Sequence, residues 1–286
     1  MMWAPMASGC LRNYLHRMAE TNSIADFIDR HQRLFILTGA GCSVNSGIPD
    51  YRDADGAWKR SPPVTYQAFM SQEATRRRYW ARSLIGWRRI SRARPNGAHR
   101  ALARLEAIGK SEILLTQNVD RLHQAAGSAA VIDLHGRLDH VRCMGCGRVT
   151  PRDELQEELS RLNPEWLARD AADAPDGDAD LDGVDFSTFA VPSCPHCRGV
   201  LKPDVVFFGE NVPRDRVEAT ARHLERADAI LIVGSSLMVY SGFRFVEMAA
   251  RAGKPMAAIN LGRTRADHLL ALKVEASCDA ALCFLL

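Results

Sequence analysis

The chain alternates short, uninterrupted apolar runs with amphipathic stretches. Five runs stand out: RLFILT (33–38), EILLTQN (112–118), AVIDLHG (130–136), AILIVGSS (229–236) and MAAINLG (256–262). They are leucine-rich or β-branched, and each ends in or beside Gly, Asn, Ser or His. Continuous apolarity implies burial on both faces, the habit of parallel strands covered by helices. Helical patterns fit between the runs, at 97–109 before the second, 215–227 before the fourth and 243–253 before the fifth. The expected fold is α/β, a doubly wound parallel sheet of Rossmann type carrying a smaller module and a helical insertion.

In such a sheet, ligands sit beyond the carboxyl ends of the strands, where the strand order reverses. Polar clusters of this chain gather at those ends. Gly39, Ala40 and Gly41 follow the first run, Gln117, Asn118 and Asp120 the second, and His135 closes the third. Gly234, Ser235 and Ser236 follow the fourth run, and Asn260, Leu261 and Gly262 the fifth. One such Asn or Ser is an ordinary turn former; five clusters together predict a site. The turn GAGCSVNSGIPDYRD (39–53) sharpens the prediction, because glycine lets backbone approach a phosphate and leaves N–H groups to point at an anion. The common G-x-G-x-x-G fingerprint is not met, since Val44 stands where its third glycine belongs.

Two stretches break the α/β pattern. Residues 54–95 place Trp58, Pro62, Pro63, Trp80 and Trp87 among arginines, and residues 140–200 form the second insertion. The expected division is a main domain of 20–53, 96–139 and 201–286, a helical module of 54–95 and a small module of 140–200, with a cleft between them. Residues 76–104 carry ten arginines and no acid, which reads as a solvated helical face. Residues 170–185 carry seven aspartates among Gly and Pro and read as a long exposed loop. A net charge of +3 is too mild to argue for nucleic acid, and the absence of 18 consecutive uncharged apolar residues argues against a membrane span. The first nineteen residues lack acids but have no long apolar core, so they are expected as a frayed or helical terminus.

Four of the eight cysteines form two tight pairs, Cys143/Cys146 and Cys194/Cys197. Two Cys-x-x-Cys turns let four thiolates converge on one zinc at ~2.3 Å, leaving no open position, so the metal would be structural. Redox pairs or disulfides are the competing readings. His196, inside the second pair, is expected to be exposed and not a ligand.

The motifs GAGCSVNSGIPDYRD, TQNVDRLH (116–123), LHG (134–136), the two cysteine pairs, LKPDVVFFGE (201–210), VGSSLMVYSG (233–242) and INLG (259–262) stand in one order. In that order, from about residue 24 to 286, the chain resembles the sirtuins, NAD-dependent protein deacylases. RYWARSLIGWRR, PNGAHRALARLE and LKPDVVFFGE are most similar to the class II branch, which includes the mitochondrial lipoamidase and ADP-ribosylating sirtuin. The resemblance implies that the main domain binds NAD as co-substrate and that the glycine turn holds its pyrophosphate. Asp50, Tyr51 and Arg52 would lie in the cofactor loop, Gln117 near the ribose, and Asn118 and Asp120 in the nicotinamide pocket. Gly234, Ser235 and Ser236 would serve phosphate and ribose, Asn260, Leu261 and Gly262 the adenosine end, and Cys278 the adenine through its backbone.

His135 would be the general base for a ribose hydroxyl, whereas His123 keeps a structural reading. An acyl-lysine peptide would add as a strand beside VVFFGE, touching Val206 and Phe207. The implied reaction transfers the acyl group to ADP-ribose and releases nicotinamide. Two positions depart from the family: Cys42 stands where many members carry isoleucine, and Ala57 stands where the desuccinylating branch has tyrosine. Acetyl and longer neutral acyl groups are therefore the expected substrates. The same fold could instead perform mono-ADP-ribosylation. Other classes are a zinc-ribbon nucleic-acid binder and an NAD sensor that leaves the dinucleotide intact. The expected location is the cytoplasm, or the mitochondrial matrix in a eukaryote.

Overall fold

The computed structural model describes residues 23–59, 63–169, 172–174, 178–181 and 183–286. The expectation for the first nineteen residues lies outside them. In chain order the elements are helix α1 (23–30), β1 (Leu34–Thr38), α2 (Tyr66–Ser71), α3 (Glu73–Ile90), α4 (Gly97–Ala107), β2 (Ser111–Thr116), α5 (Leu122–Ala125), β3 (Val131–Asp133) and β4 (Gly136–Cys143). There follow β5 (Val149–Pro151), α6 (Arg152–Leu162), β6 (Ala172–Ala174), β7 (Asp178–Asp180), β8 (Leu201–Val205), α7 (Arg214–Arg226), β9 (Ala229–Val233), α8 (Tyr240–Arg251), β10 (Met256–Ile259), β11 (Leu272–Val274) and α9 (Cys278–Leu282).

The main sheet has the order β11-β10-β9-β1-β2-β3, and every pairing in it is parallel. From β1 the chain builds outward through β2 and β3, then returns to β9 on the opposite flank, so the strand order reverses between β1 and β9. Alternation along β1 shows how both faces are covered. Leu34 and Ile36 enter a core with α1, α4 and α9, whereas Phe35 and Leu37 enter a second core with α7 and α8. Period-two side chains on a fully buried strand require apolar residues at every position, which is why RLFILT reads as one run.

The third apolar run is shorter as a strand than expected. β3 ends at Asp133, and at Gly136 the chain crosses into a separate antiparallel sheet, β5-β4-β8. Gly136 has φ +84° and a Cβ there would lie 2.1 Å from the Asp204 carbonyl oxygen, so only glycine permits the crossing. The aspartate-rich stretch also departs from expectation. In place of a long loop, β6 and β7 pair as a short antiparallel hairpin, and Leu181 just after it is buried.

The two insertions share one core. Phe69, Trp80, Leu84 and Ile85 from α2 and α3 interlock with Val141, Leu155, Leu159, Trp166 and Phe189 from the 140–200 segment, and Phe207 joins them. The solvated face expected of the arginines is only partly found: Arg78, Arg89, Arg100 and Arg104 of α3 and α4 are exposed, whereas Arg76, Arg77, Arg82 and Arg88 are half-buried. Among the described residues no helix is long and apolar enough to cross a membrane.

The loops after β1 and β9 are clasped together. Gly39 N–H donates to the Val233 carbonyl at 3.2 Å and Gly41 N–H to the Gly234 carbonyl at 2.9 Å. A Cβ on Gly234, at φ +63°, would lie 2.3 Å from Cys42 N, whereas one on Gly47, at φ +82°, would meet nothing within 4 Å. The pair separates conformation from contact. Gly47→Ala should cost about 1 kcal/mol, the left-handed backbone alone, and Gly234→Ala about twice that or more, because a clash adds to it. Equal losses in chemical denaturation would show that the clasp tolerates a methyl group.

Candidate active site

A cavity of about 350 Å³ opens at the switch point between β1 and β9, the place where parallel sheets bind ligands. Its wall includes Gly39, Ala40, Gly41, Asp50, Tyr51 and Arg52, then Gln117, Asn118 and His135, then Gly234, Ser235, Ser236, Asn260 and Leu261, and the apolar stretch from Val205 to Phe208. The structure therefore brings together residues that the sequence spreads over more than two hundred positions. Asp120, Gly262 and Cys278 do not border the cavity. Asp120 sits behind it, its carboxylate taking the Leu122 N–H at 2.9 Å and the Ser43 hydroxyl at 2.6 Å. Gly262, at φ +87°, lies against the Ala54 backbone, and Cys278 is buried with its sulfur 3.8 Å from the Gly41 carbonyl.

The glycine turn works differently from the sequence expectation. The N–H groups of Gly39 and Gly41 are spent on the β9 loop, so these glycines serve loop-on-loop packing and not direct presentation of amides to an anion. Polar reach into the cavity comes from side chains instead. The Ser235 hydroxyl accepts from Gln117 Nε2 at 2.7 Å and from the Leu237 N–H at 3.2 Å, which leaves its own proton to donate. Asn118 is anchored by its amide nitrogen, which donates to the Gly39 carbonyl at 3.1 Å and to Ser43 Oγ at 3.0 Å. Leu261, two residues beyond β10, is 65 % exposed and borders the cavity, an apolar surface suited to a flat ring. In the 50s loop, Arg52 donates to the Gly56 carbonyl at 2.7 Å and lies over the Trp58 ring, while Lys59 pairs with Asp50.

His135 is held in a single tautomer. Its Nδ1 lies 3.0 Å from the Gln117 carbonyl, which can only accept, so Nδ1 carries the hydrogen and Nε2 carries the lone pair. That lone pair accepts the Ser241 hydroxyl at 2.7 Å. Burial, aided by the nearby guanidinium groups of Arg216 and Arg244, pushes the imidazole down to about 4, although the bond to Gln117 opposes this. His135 is thus neutral at physiological pH, with its Nε2 lone pair held by the Ser241 hydroxyl. Ser241 and Arg244 border the same cavity and carry no motif of their own; only the strand-end position of VGSS, a few residues earlier, pointed toward them. Phe207 borders the cavity but turns its ring into an aromatic cluster, with centroids 5.1 Å from Phe69 and 5.3 Å from Tyr79. His123 is buried, its Nε2 bonded to Thr38 Oγ1, in keeping with a structural place.

At the far end of β4 the four cysteines converge. Cys143 and Cys197 sulfurs lie 3.4 Å apart and Cys146 and Cys194 sulfurs 3.9 Å apart. These spacings bracket the ~3.8 Å edge of a sulfur tetrahedron built on ~2.3 Å zinc bonds. Backbone N–H groups of Cys146 and Gly145 push the Cys143 thiol down to about 6, toward the thiolate that binds metal. His196 is exposed and outside the group.

A family model described as the Sir2 family matches residues 39–241. The chain is 72 % identical over 264 residues to the NAD-dependent protein deacetylase 2 of Bradyrhizobium diazoefficiens, covering 92 % of this chain and 97 % of that protein. It is 69 % identical over 263 residues to an NAD-dependent protein deacetylase of Xanthomonas campestris pv. campestris, covering 92 % and 90 %. A solved structure described as "Sir2-p53 peptide-NAD+" superposes with a TM-score of 0.72 at 29 % identity, covering 92 % of this chain and 95 % of the other.

Two measurements check this geometry. Cys197→Ser should lower bound zinc and thermal stability together, because the energy of such a metal site is folding energy; loss of metal with an unchanged melting temperature would contradict it. For His135, side-chain NMR should show an imidazole still neutral at pH 5. The unfolded chain takes up that proton near ~6.5, so stability should fall as pH drops from 7 toward 5. His135→Ala should flatten part of that slope, and an unaltered slope would mean that His135 is not shielded from water.

Proposed function

The chain belongs to the Sir2 family, and from that premise we propose that it is an NAD-dependent protein deacetylase whose base is His135. The single observation that supports this reading best is the fixed, neutral Nε2 of His135 opening into the cavity that the β1, β2, β9 and β10 loops enclose. The donor set fits a dinucleotide. Ser235, Ser236 and Gln117 would hold the phosphate and ribose region, Asn118 the nicotinamide amide, and Asn260 with Leu261 the adenosine end, while Arg52 and Asp50 close the loop above. NAD, when bound, supplies an electrophilic ribose carbon and nicotinamide as leaving group. A lysine acyl oxygen must reach that carbon along the wall formed by Val205, Val206 and Phe207.

The chain's own residues then do three things. The aromatic and aliphatic wall excludes water from the acyl end. Gln117 orients His135 by accepting Nδ1–H. His135 Nε2 takes the proton of a ribose hydroxyl, which displaces the Ser241 hydroxyl from the lone pair or binds through it. The four-cysteine group would hold one zinc, closed to substrate, as a brace for β4 and β8.

Finer features belong to the same proposal. The class II placement rests on RYWARSLIGWRR, PNGAHRALARLE and LKPDVVFFGE. The acyl preference rests on what an acidic tail would find. Ala57 offers no hydroxyl, and Lys59 is already paired with Asp50. Burying an unpaired carboxylate costs several kcal/mol, while each methylene against the Val205–Phe208 wall contributes up to ~0.8 kcal/mol. The expected order of kcat/KM on one peptide is octanoyl- and acetyl-lysine above succinyl-lysine. The reverse order would assign the unpartnered Nε of Arg244 to pairing an acidic tail.

His135→Ala should keep its fold and NAD binding while acyl turnover falls by about 10²–10⁴-fold, the usual worth of a positioned base. Mass spectrometry of NAD with an acetyl-lysine peptide should show acyl-ADP-ribose and nicotinamide in equal amounts; nicotinamide with ADP-ribosylated protein and no acyl-ADP-ribose would favour ADP-ribosyl transfer instead.

A further inference from the structure

Behind the cavity lies a second group of ligating side chains, separate from the four cysteines. Cys42 from the turn after β1, His99 from the first turn of α4 and His123 from α5 each bring a ligand atom within 4.8 Å of the other two. Their exposures are 1 %, 0 % and 1 %, so the group is fully enclosed. The two rings tilt toward each other with centroids 4.7 Å apart.

Hydrogen bonding settles which nitrogens are available. The Thr38 hydroxyl donates to Thr116 Oγ1 at 2.9 Å, so the 2.9 Å contact it makes with His123 must be accepted from Nε2–H. The lone pair of His123 is then on Nδ1, and that buried atom has no partner. For His99, the Asn96 amide nitrogen donates to the Cys42 carbonyl at 2.8 Å, which identifies the other amide atom as oxygen. That oxygen lies 2.8 Å from His99 Nδ1 while the Asn96 N–H reaches the same nitrogen at only 3.3 Å, so the shorter contact places the hydrogen on Nδ1. His99 Nε2 is left as an acceptor, and the Ser43 Oγ 3.5 Å away gives its hydrogen to Asp120. Both imidazoles thus offer one bare nitrogen and have the other tied to an oxygen, the arrangement that orients histidines on metals. Burial keeps both below the ordinary histidine range, hence neutral.

A buried lone pair without a donor is costly. A hydrophobic residue at position 42 would leave it so; a cysteine provides the third ligand, although its hydrogen bond with Cys278 and burial hold the thiol protonated, so a metal must displace that proton. We propose that Cys42, His99 and His123 form a second metal site, for a divalent ion of the zinc class, whose filling weakens dinucleotide binding. One sulfur and two imidazole nitrogens suit borderline-soft ions, and three protein ligands leave the fourth position for water. The coupling follows from shared contacts. Ser43 is bonded to Cys42 in the chain, touches His99, accepts from Asn118 Nδ2 at 3.0 Å and donates to Asp120 at 2.6 Å. Contracting the three ligands from as much as 4.8 Å apart to the ~3.4–3.8 Å edges of a tetrahedron pulls Ser43 from Asn118, a wall residue of the cavity.

The binding claim is independent of the proposed activity; the coupling rests on the NAD reading. The test uses whole protein holding one zinc per chain, titrated with cobalt(II) alone. Cobalt X-ray absorption should show one further equivalent with about one sulfur and two imidazole nitrogens. No second equivalent, an all-oxygen and nitrogen shell, or a four-sulfur shell from exchange into the cysteine cluster would overturn the site. Cys42→Ser, nearly the same size, should weaken cobalt binding at least about tenfold, the low end for losing even an outer-shell partner; unchanged affinity would also overturn it. NAD affinity by calorimetry should fall about fivefold or more when the second site is filled. Undiminished affinity would refute the coupling, whereas no NAD binding before cobalt is added would refute the NAD reading instead.

Discussion

The clasp between the β1 and β9 loops is the contact on which the site depends. Strands β1 and β9 are neighbours in space but stand nearly two hundred residues apart in the chain, so their loops meet only once the sheet has closed. Where they meet, backbone rides on backbone: Gly41 N–H on the Gly234 carbonyl, Gly39 N–H on Val233, with no room for a Cβ on Gly39, Gly41 or Gly234. That closeness brings Ser235 under Gln117 and places Asn118 against Gly39. A phosphate-sized ligand would thus meet hydroxyl and amide side chains already oriented, and would not have to order the loop itself.

The electrostatics of the cavity follow from that enclosure. An imidazole removed from water resists protonation, and neighbouring arginines reinforce the resistance. A base with so low a proton affinity is weak in the ground state. In the proposed role it would act only when the group it deprotonates is acidified at the same moment, as a ribose hydroxyl would be with positive charge developing next to it. The same enclosure makes His99 and His123 neutral behind the wall. Three histidines in one region differ by their hydrogen bonds: His135 is held between the Gln117 carbonyl and Ser241 at the cavity wall, while His123 and His99 are enclosed with Cys42 behind it.

How much of this was legible depended on the range of the interaction. Strands buried on both faces announce themselves as apolar runs, and the four long central ones were found where expected. β11 is only Leu272–Val274, too short to show periodicity, and β4 reads GRLDHVRC, whose buried positions change phase at a register shift, Leu138 and Val141 entering different cores. The cysteine pairs were legible because their ligand spacing is local. The partner of His135 was not, because Ser241 lies 106 residues away and sits on a helix begun by Tyr240. Asp120 looked like a pocket acid from its place after β2, yet both its oxygens are committed to Ser43 and Leu122. The glycines were legible as a requirement and misread as to cause, since a sequence shows that a Cβ is unwelcome without showing what would collide with it.

The shared core of the two insertions explains why the acyl wall can be stiff although it is built on irregular backbone. β8 ends at Val205, and Val206 N–H is bonded to the His135 carbonyl, so the wall and the base are joined by one backbone bond. Phe207 then anchors in the cluster of Phe69, Tyr79 and Trp80, and Glu210 closes the turn by accepting the Phe207 N–H and pairing with the buried Lys202. Loosening that aromatic cluster would move the wall and, through the Val206 bond, the strand end that carries His135. The helical insertion, the segment that carries the four cysteines and His135 are in this way parts of one mechanical unit, joined through the Val206 bond and the aromatic cluster.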